Sequence, residues 1–228
     1  MPLDAVQISD IHLASKACLH EPAIELLQRI RERDIKTNRL IINGDLFNDL
    51  TLGRLCKGQW KVLSLIRKLS DEVETVWVVG NHDPNADIIS VLMGVKAVEE
   101  YEFDSGDKRV LCLHGHQFDT FLVNHPRLTR VADAAYATMQ RVDKSHRLAR
   151  AAKRGSKRFL AAAKAVREGA LQRALERGCD IVLCGHTHHS ELVPGAIFYG
   201  NSGCFTELPC SWIGVKNGSV DLHCCPKI

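Results

Sequence analysis

Five short apolar runs give this chain its most regular hydrophobic pattern. They lie at residues 5–8, 40–42, 76–79, 110–113 and 181–184. The runs are rich in β-branched residues and lack the polar alternation of a strand with one wet face, so they predict strands covered on both faces. Helical patterns at 21–33 and 54–69 separate the first three runs. This order predicts parallel strands joined by right-handed crossovers.

The pattern changes after residue 184, where short strand candidates are separated by glycine and proline. They lie at residues 191–193, 196–199, 204–208, 212–215 and 220–223. We expect them to form a second, largely antiparallel sheet stacked on the first. The predicted fold class is therefore α/β, with two sheets flanked by helices.

Length and composition predict a single domain spanning residues 1–228, since 228 residues with 45% apolar content suffice for one core with an insertion. No run approaches the roughly 18 apolar residues of a membrane span, and the opening residues do not resemble a secretory leader. Nine cysteines without a Cys-x-x-Cys pair favour reduced, mostly buried thiols over a disulfide framework or a zinc-thiolate site. The expected location is the cytoplasm.

Charge is distributed unevenly along the chain. Residues 127–178 hold 14 Lys or Arg against 4 Asp or Glu, a net charge of +10, which leaves −7 for the rest of the chain. We expect this alanine-rich segment to form helices within an insertion at about 121–178. A helical stretch there would place basic side chains near one face as candidates for substrate binding, namely Arg150, Arg154, Lys157 and Arg158. The alternative is a solvated helical face.

Each apolar run leads directly into a short motif that carries polar, metal-ligating side chains. The motifs are Asp10-Ile11-His12, Gly44-Asp45, Gly80-Asn81-His82-Asp83, His114-Gly115-His116 and Gly185-His186-Thr187-His188. The carboxyl ends of parallel strands meet at one edge of a sheet, so these motifs are expected to gather there. Packing alone does not require carboxylate, imidazole and amide groups at five strand ends. Their recurrence predicts an enzyme with a metal site.

The residue types predict two metal ions. Asp10 and His12 alternate along extended chain, so both can bind one ion. Asp45 follows a glycine and has two oxygens with which to bridge two cations. Asn81 offers a neutral amide oxygen, and the absence of cysteine from the motifs favours Mn²⁺, with Fe, Co²⁺ or Zn²⁺ as alternatives. Two cations about 3.5–4 Å apart would activate water and stabilise charge on a phosphoryl group.

The remaining histidines of the motifs have different predicted roles. His82 beside Asp83 is expected to be a general acid whose pKa the carboxylate raises, the alternative being a further ligand or a cap. His114 is the favoured ligand of its motif because it lies at the strand end, whereas His116 is expected to line the pocket. His186 and His188 alternate and can serve neighbouring metals.

These motifs resemble those of the calcineurin-like metallophosphoesterases, and among them the UDP-2,3-diacylglucosamine diphosphatase group of lipid A biosynthesis. The resemblance runs from Ser9 to Gly203. It implies a four-layer α/β-β/α sandwich with a helical cap insertion over a lipid-bearing nucleotide sugar. It also implies one metal bound by Asp10, His12, Asp45 and His188, and another bound by Asp45, Asn81, His114 and His186. The best-known bacterial lipid A enzymes carry Arg where this chain has His82, and relatives often have Asp where it has His116 and Cys204.

Three functions are compatible with these patterns. The leading hypothesis is a pyrophosphatase acting on a nucleotide-linked lipid or sugar, with the basic insertion contacting anionic groups or the inner face of a membrane. A phosphodiesterase or nuclease is the second, although Tyr136 and Phe159 are the only aromatic residues in 127–178 on which bases could stack. The third is a non-catalytic scaffold with the same fold, which would predict eroded ligands.

Overall fold

The computed structural model of the chain describes residues 1–83, 85–119 and 157–225. These residues contain eleven strands and four α-helices. The strands are β1 (Ala5–Ile8), β2 (Arg39–Asn43), β3 (Glu74–Val78), β4 (Lys96–Val98), β5 (Glu100–Ser105), β6 (Lys108–Leu113), β7 (Ile181–Cys184), β8 (Glu191–Val193), β9 (Phe198–Asn201), β10 (Ser211–Lys216) and β11 (Ser219–Cys224). The helices are α1 (His20–Arg31), α2 (Lys57–Leu69), α3 (Ala86–Met93) and α4 (Lys157–Arg177).

The strands form two sheets. The first has the order β11-β10-β1-β2-β3-β4 and the second the order β5-β6-β7-β9-β8. Strands β1 to β4 are parallel, as are β6, β7 and β9, whereas β10 is antiparallel to β1. Each sheet thus contains a set of parallel strands with their carboxyl ends on one side.

The predicted composition of the second sheet was wrong. Its centre is β6, β7 and β9, whereas the hairpin of β10 and β11 belongs to the first sheet. By pairing with β1, β10 covers what would otherwise be a sheet edge with its backbone groups unpaired. The predicted strand at 204–208 is also absent, because this segment bonds to loops instead: Phe205 N–H donates to the carbonyl of Asp10, and the Phe205 carbonyl accepts from Leu19. Helix α3 and strands β4 and β5 have no counterpart among the predicted elements.

Four layers result, and the predicted fold class is confirmed. Leu27 of α1 and Val62 of α2 pack with Ile42 in an apolar cluster on one face of the first sheet. The cluster between the sheets includes Ile41 and Leu183. A third cluster lies between the second sheet and α4. The nine cysteines are free thiols, as predicted.

Helix α4 falls within the predicted basic insertion and forms the outer layer on the second sheet. Ala170 and Ala174 are completely buried there. Arg173 and Arg177 each contact Glu100 at 2.8 Å. These cations therefore hold the helix on the sheet. No helix within the described residues has both the length and the apolar composition that crossing a membrane requires.

The predicted substrate-binding cations lie outside what the structure describes. Arg150 and Arg154 fall in residues 120–156, as does most of the predicted cap. Lys157 and Arg158 belong to the first turn of α4, but their side chains lie outside the described part. Their role in binding stays a prediction.

Candidate metal centre

The motif residues come together where parallel strands of both sheets end. Backbone hydrogen bonds join the loops directly: the N–H of Asp10 donates to the Gly44 carbonyl, and the N–H of His12 donates to the Asp45 carbonyl, both at 3.0 Å. Across the two sheets, Asn43 Nδ2 at the end of β2 donates to the carbonyl of Leu183 on β7 at 2.9 Å. The two sheets thus contribute to one site, although the second sheet is not built as predicted.

Five motif residues have left-handed backbone conformations that non-glycine residues rarely adopt. The φ values are 53° for Asp10, 51° for His12, 51° for Asp45, 66° for His186 and 56° for His188. Such conformations cost about 1–3 kcal/mol each, and they cluster at functional sites. Side-chain bonds hold them here: Asp10 Oδ2 accepts from His186 N–H at 3.0 Å, and Asp45 Oδ1 accepts from His82 N–H at 2.9 Å.

The first group of candidate ligands contains Asp10, His12 and His188. His188 Nε2 lies 3.2 Å from Asp10 Oδ1 and 3.1 Å from His12 Nε2. Two imidazole nitrogens and a carboxylate oxygen therefore converge on a small volume, an arrangement that suits a divalent cation.

The second group contains Asp45, His114 and His186. Asp45 Oδ2 lies 3.3 Å from His114 Nε2, and the same oxygen lies 3.6 Å from His12 Nε2 of the first group. Asp45 therefore stands between the two groups, with Oδ2 facing both. This is the position that a shared ligand would occupy.

Two buried atoms test whether these groups fit metal ions. Within the described residues, Asp10 Oδ1 and His114 Nε2 are buried and have no hydrogen-bond partner. Buried polar atoms almost always have partners, so a bound cation would supply the partner that each of these two atoms lacks. His114 Nδ1 is already bonded to the Asn43 carbonyl at 2.9 Å, which leaves Nε2 to bind a cation. Oxygen and nitrogen donors fit a pair of divalent metals.

Electrostatics keeps most of these groups ready to bind cations. Burial alone would raise the pKa of Asp10, but His188 and His114 lower it to about 2. Burial lowers the pKa of His12 to about 3, so its imidazole is neutral at pH 7. His114 differs, because Asp45 outweighs the effect of burial and raises its pKa to about 9. A cation bound at His114 Nε2 would release that proton.

The expected pairing of Asp83 with His82 is not present in the structure. Asp83 is buried, and its carboxylate accepts hydrogen bonds from Phe47 N–H, Trp77 Nε1–H and Gly80 N–H at 2.9–3.0 Å. Burial and the nearby charge of Asp45 raise the pKa of its carboxyl to about 6. The three donors occupy Asp83, so its observed role is to hold the third motif in place.

His82 is oriented by a backbone group instead. Its Nδ1 lies 3.1 Å from the Asn48 carbonyl, and its ring centre lies 5.1 Å from that of His12. Since a carbonyl can only accept, Nδ1 carries the hydrogen and Nε2 is the nitrogen that can exchange a proton.

Asn81 and His116 lie at the edges of the two groups. Asn81 is exposed on the turn before His82, whose N–H is bonded to Asp45. His116 has its ring centre 5.5 Å from that of His114 and 6.4 Å from that of His186. Burial and these neighbouring imidazoles lower the pKa of His116 to about 4, so it is neutral at pH 7. Ligation by Asn81 and pocket lining by His116 stay predictions.

Several residues that position the ligands were not identified as site residues from the sequence. Asn43 Nδ2 donates to the Leu183 carbonyl at 2.9 Å, and Asn201 Nδ2 donates to the Gly185 carbonyl at 2.7 Å. Asp119 and Thr206 contact the imidazoles of His186 and His188, respectively, at 3.1 Å. Asn43 could have been identified from the sequence, because it directly precedes Gly44-Asp45. The contacts of Asp119 and Thr206 depend on loop packing that leaves no regular spacing.

A four-layer sandwich with acidic and imidazole side chains at the strand ends defines the class of metal-dependent phosphoesterases. The family profile of the calcineurin-like phosphoesterases matches residues 4–190. The chain belongs to this family, and the superfamily expected from its motifs is confirmed. No curated protein sequence gives a significant match.

Solved structures show the same fold at low sequence identity. A Vps29 single mutant from Entamoeba histolytica is 16% identical with a TM-score of 0.51, and the alignment covers 96% of this chain and 97% of that one. Vps29 from Chaetomium thermophilum is 13% identical, with 98% of each chain covered and a TM-score of 0.51. Yfce, a phosphoesterase from E. coli, is 19% identical, with 97% and 99% covered and a TM-score of 0.50.

Proposed function

We propose that this protein is a two-metal hydrolase that cleaves a phosphoric ester or pyrophosphate bond. The observation that carries this proposal is the position of Asp45, whose Oδ2 lies 3.6 Å from His12 Nε2 and 3.3 Å from His114 Nε2. One carboxylate oxygen between two groups of buried ligands is what a bridged metal pair needs. The family membership supports the same reaction class.

The predicted ligands divide between two metal positions. Asp10, His12, Asp45 and His188 would hold one ion, and Asp45, Asn81, His114 and His186 would hold the other. When bound, the ions would supply an activated water and positive charge for the phosphoryl oxygens. Mn²⁺ is the preferred metal, with Fe, Co²⁺ or Zn²⁺ as alternatives.

His82 is the proposed general acid. Its Nδ1–H is committed to the Asn48 carbonyl, so a proton for the departing oxygen would be held at Nε2. The ring lies beside His12 and is half-buried, which places it at the edge of the first group of ligands. Neutral His116 is the proposed substrate contact on the side of the second group.

The proposed substrate is a nucleotide-linked lipid or sugar such as UDP-2,3-diacylglucosamine. Support comes from the motifs shared with that group and from the net charge of +10 in residues 127–178, which suits anionic phosphates or a membrane surface. Helix α3, which starts three residues after Asp83, adds an apolar surface. Its Ile88, Val91 and Leu92 are 62–79% exposed and could contact acyl chains.

Substrate comparison with one Mn²⁺-loaded preparation tests this proposal. UDP-2,3-diacylglucosamine, UDP-glucose and bis(p-nitrophenyl) phosphate would be assayed in parallel, with Asp45→Asn as the inactive control. We expect the diacylated substrate to have the highest kcat/KM and Asp45→Asn to hydrolyse none of the three. Hydrolysis of the generic diester alone would refute the lipid substrate but leave the two-metal hydrolase intact.

A non-catalytic scaffold is the second candidate, because two of the similar structures are Vps29 proteins. The buried Asp and His groups count against it, since a scaffold would not need them. Wild-type protein that binds no Mn²⁺ and hydrolyses none of the three substrates would favour the scaffold over the enzyme.

A further inference from the structure

His186 differs from the other candidate ligands in the way its imidazole is held. Its Nε2 lies 3.1 Å from Oδ2 of Asp119, and both side chains are largely buried. Asp119 directly follows the one-turn helix His116–Phe118, and its N–H donates to the His116 carbonyl at 3.1 Å. Phe118 packs against Gly169 of α4 so closely that a Cβ there would come within 2.4 Å of the Phe118 ring. The packing of α4 therefore fixes the loop that carries Asp119.

The hydrogen-bond partners determine which nitrogen each ring can offer. His114 and His188 use Nδ1 for their partners, the Asn43 carbonyl at 2.9 Å and the Thr206 hydroxyl at 3.1 Å, so each offers Nε2. His186 uses Nε2 for Asp119, so the nitrogen left for a cation is Nδ1. An ionised carboxylate can only accept a hydrogen bond, so the hydrogen between Asp119 and His186 belongs to Nε2 of His186.

We propose that Asp119 is a positioning residue for the metal that the second group of ligands binds. By accepting the Nε2 hydrogen of His186, it would select the tautomer in which Nδ1 has a free lone pair. A carboxylate partner also makes the imidazole nitrogen a stronger electron-pair donor to a metal than a carbonyl or hydroxyl partner would. It fixes the orientation of the ring as well. The inference rests on the proposed two-metal centre, and Asp119 itself would touch neither substrate nor metal.

Direct measurement of Mn²⁺ binding tests the inference without relying on activity. Wild type, Asp119→Ala and Asp119→Asn would be dialysed against a Mn²⁺ series, and bound metal would be counted by mass spectrometry. Asp104→Ala is the matched control, because Asp104 is an exposed carboxylate on β5. Thermal melting of each metal-free protein would report on folding.

We expect Asp119→Ala to lower the affinity for one Mn²⁺ ion by about 10–100-fold, as the loss of a partner of a metal-binding histidine does. The affinity for the other Mn²⁺ ion should stay within twofold of the wild type. Asp119→Asn keeps an oxygen that can accept the hydrogen, so its affinity should lie between the wild type and Asp119→Ala. Asp104→Ala should bind like the wild type, and the metal-free Asp119 variants should melt only a few degrees lower, as expected for one lost hydrogen bond.

Three results would overturn the role of Asp119. They are unchanged binding of both ions by Asp119→Ala, equal weakening of both ions, and an Asp119→Asn variant as impaired as Asp119→Ala. The last would indicate that the carboxylate binds metal directly. If wild-type protein binds no Mn²⁺ at all, the proposed metal centre fails instead, and the two failures are thus distinguishable.

Discussion

Substitution of Gly44 by alanine tests the metal centre through packing alone, because Gly44 is not a ligand. Gly44 has a φ of +85°, and a Cβ added to it would lie 2.1 Å from Nδ1 of His114. His114 is completely buried and is bonded through that nitrogen to the Asn43 carbonyl. The ring can yield only by leaving the position from which it faces Asp45.

The expected cost has three parts. Left-handed backbone costs an alanine about 1–2 kcal/mol. Overpacking a filled site costs about 1–3 kcal/mol, and losing the bond to the Asn43 carbonyl costs about 1 kcal/mol. Gly44→Ala should therefore lower the free energy of unfolding by about 3–6 kcal/mol. For a chain of this size, that corresponds to a fall in melting temperature on the order of 10 °C.

Melting curves in EDTA and Mn²⁺ counting after dialysis would measure both effects. The matched control is Gly53→Ala, because a Cβ at Gly53 meets nothing within 4 Å. We expect Gly53→Ala to match the wild type and Gly44→Ala to bind one Mn²⁺ at least 10-fold more weakly. A Gly44→Ala protein that melts within 2 °C of the wild type (about 1 kcal/mol or less) and holds both ions would show that His114 is not fixed as described.

Three further predictions concern neighbouring residues. His82→Gln should lower kcat by about 10²–10⁴-fold on a phosphodiester whose alkoxide leaving group needs a proton, while Mn²⁺ content stays unchanged; steady-state kinetics and metal analysis would check this. Asp83→Asn should destabilise the metal-free protein by about 2–4 kcal/mol in urea, because one amide oxygen cannot serve three donors. His114 has a raised pKa of about 9, so its contribution to metal-free stability should be full below pH 6.5 and lost as pH rises through 9. In urea titrations, the stability of His114→Asn should not show this loss between pH 6.5 and 9. A stability–pH profile of His114→Asn identical to that of the wild type would contradict the assignment to His114.

The sequence predicted the parallel strands well because their apolar runs are continuous. The predicted runs at 5–8 and 181–184 coincide with β1 and β7, and the other three lie within a residue or two of β2, β3 and β6. Burial on both faces leaves a strong pattern that needs no knowledge of neighbours. The same reasoning placed the motifs at the strand ends and so brought the candidate ligands to one site.

Pairing between distant segments could not be predicted in the same way. Nothing local indicates that β10 pairs with β1, since Gln7 and its partner Ile213 are about 200 residues apart in the chain. The sequence also suggested that Asp83 contacts its neighbour His82, whereas its carboxylate turns inward to Trp77. Adjacency in sequence says little about which way a side chain points in a tight turn.

The backbone strain at the ligands bears on the choice between enzyme and scaffold. Left-handed conformations at Asp10, His12, Asp45, His186 and His188 are costly, and they occur at five of the six residues of the two ligand groups. For Asp45, the close packing of Gly80, where a Cβ would lie 2.2 Å from Oδ1, shows how tightly the strained loop is held. A scaffold that used only the outer surface would gain stability by relaxing these loops. Retention of the strain at candidate ligands, with Asp45 Oδ2 between the two groups, therefore favours a protein that binds metal and uses it.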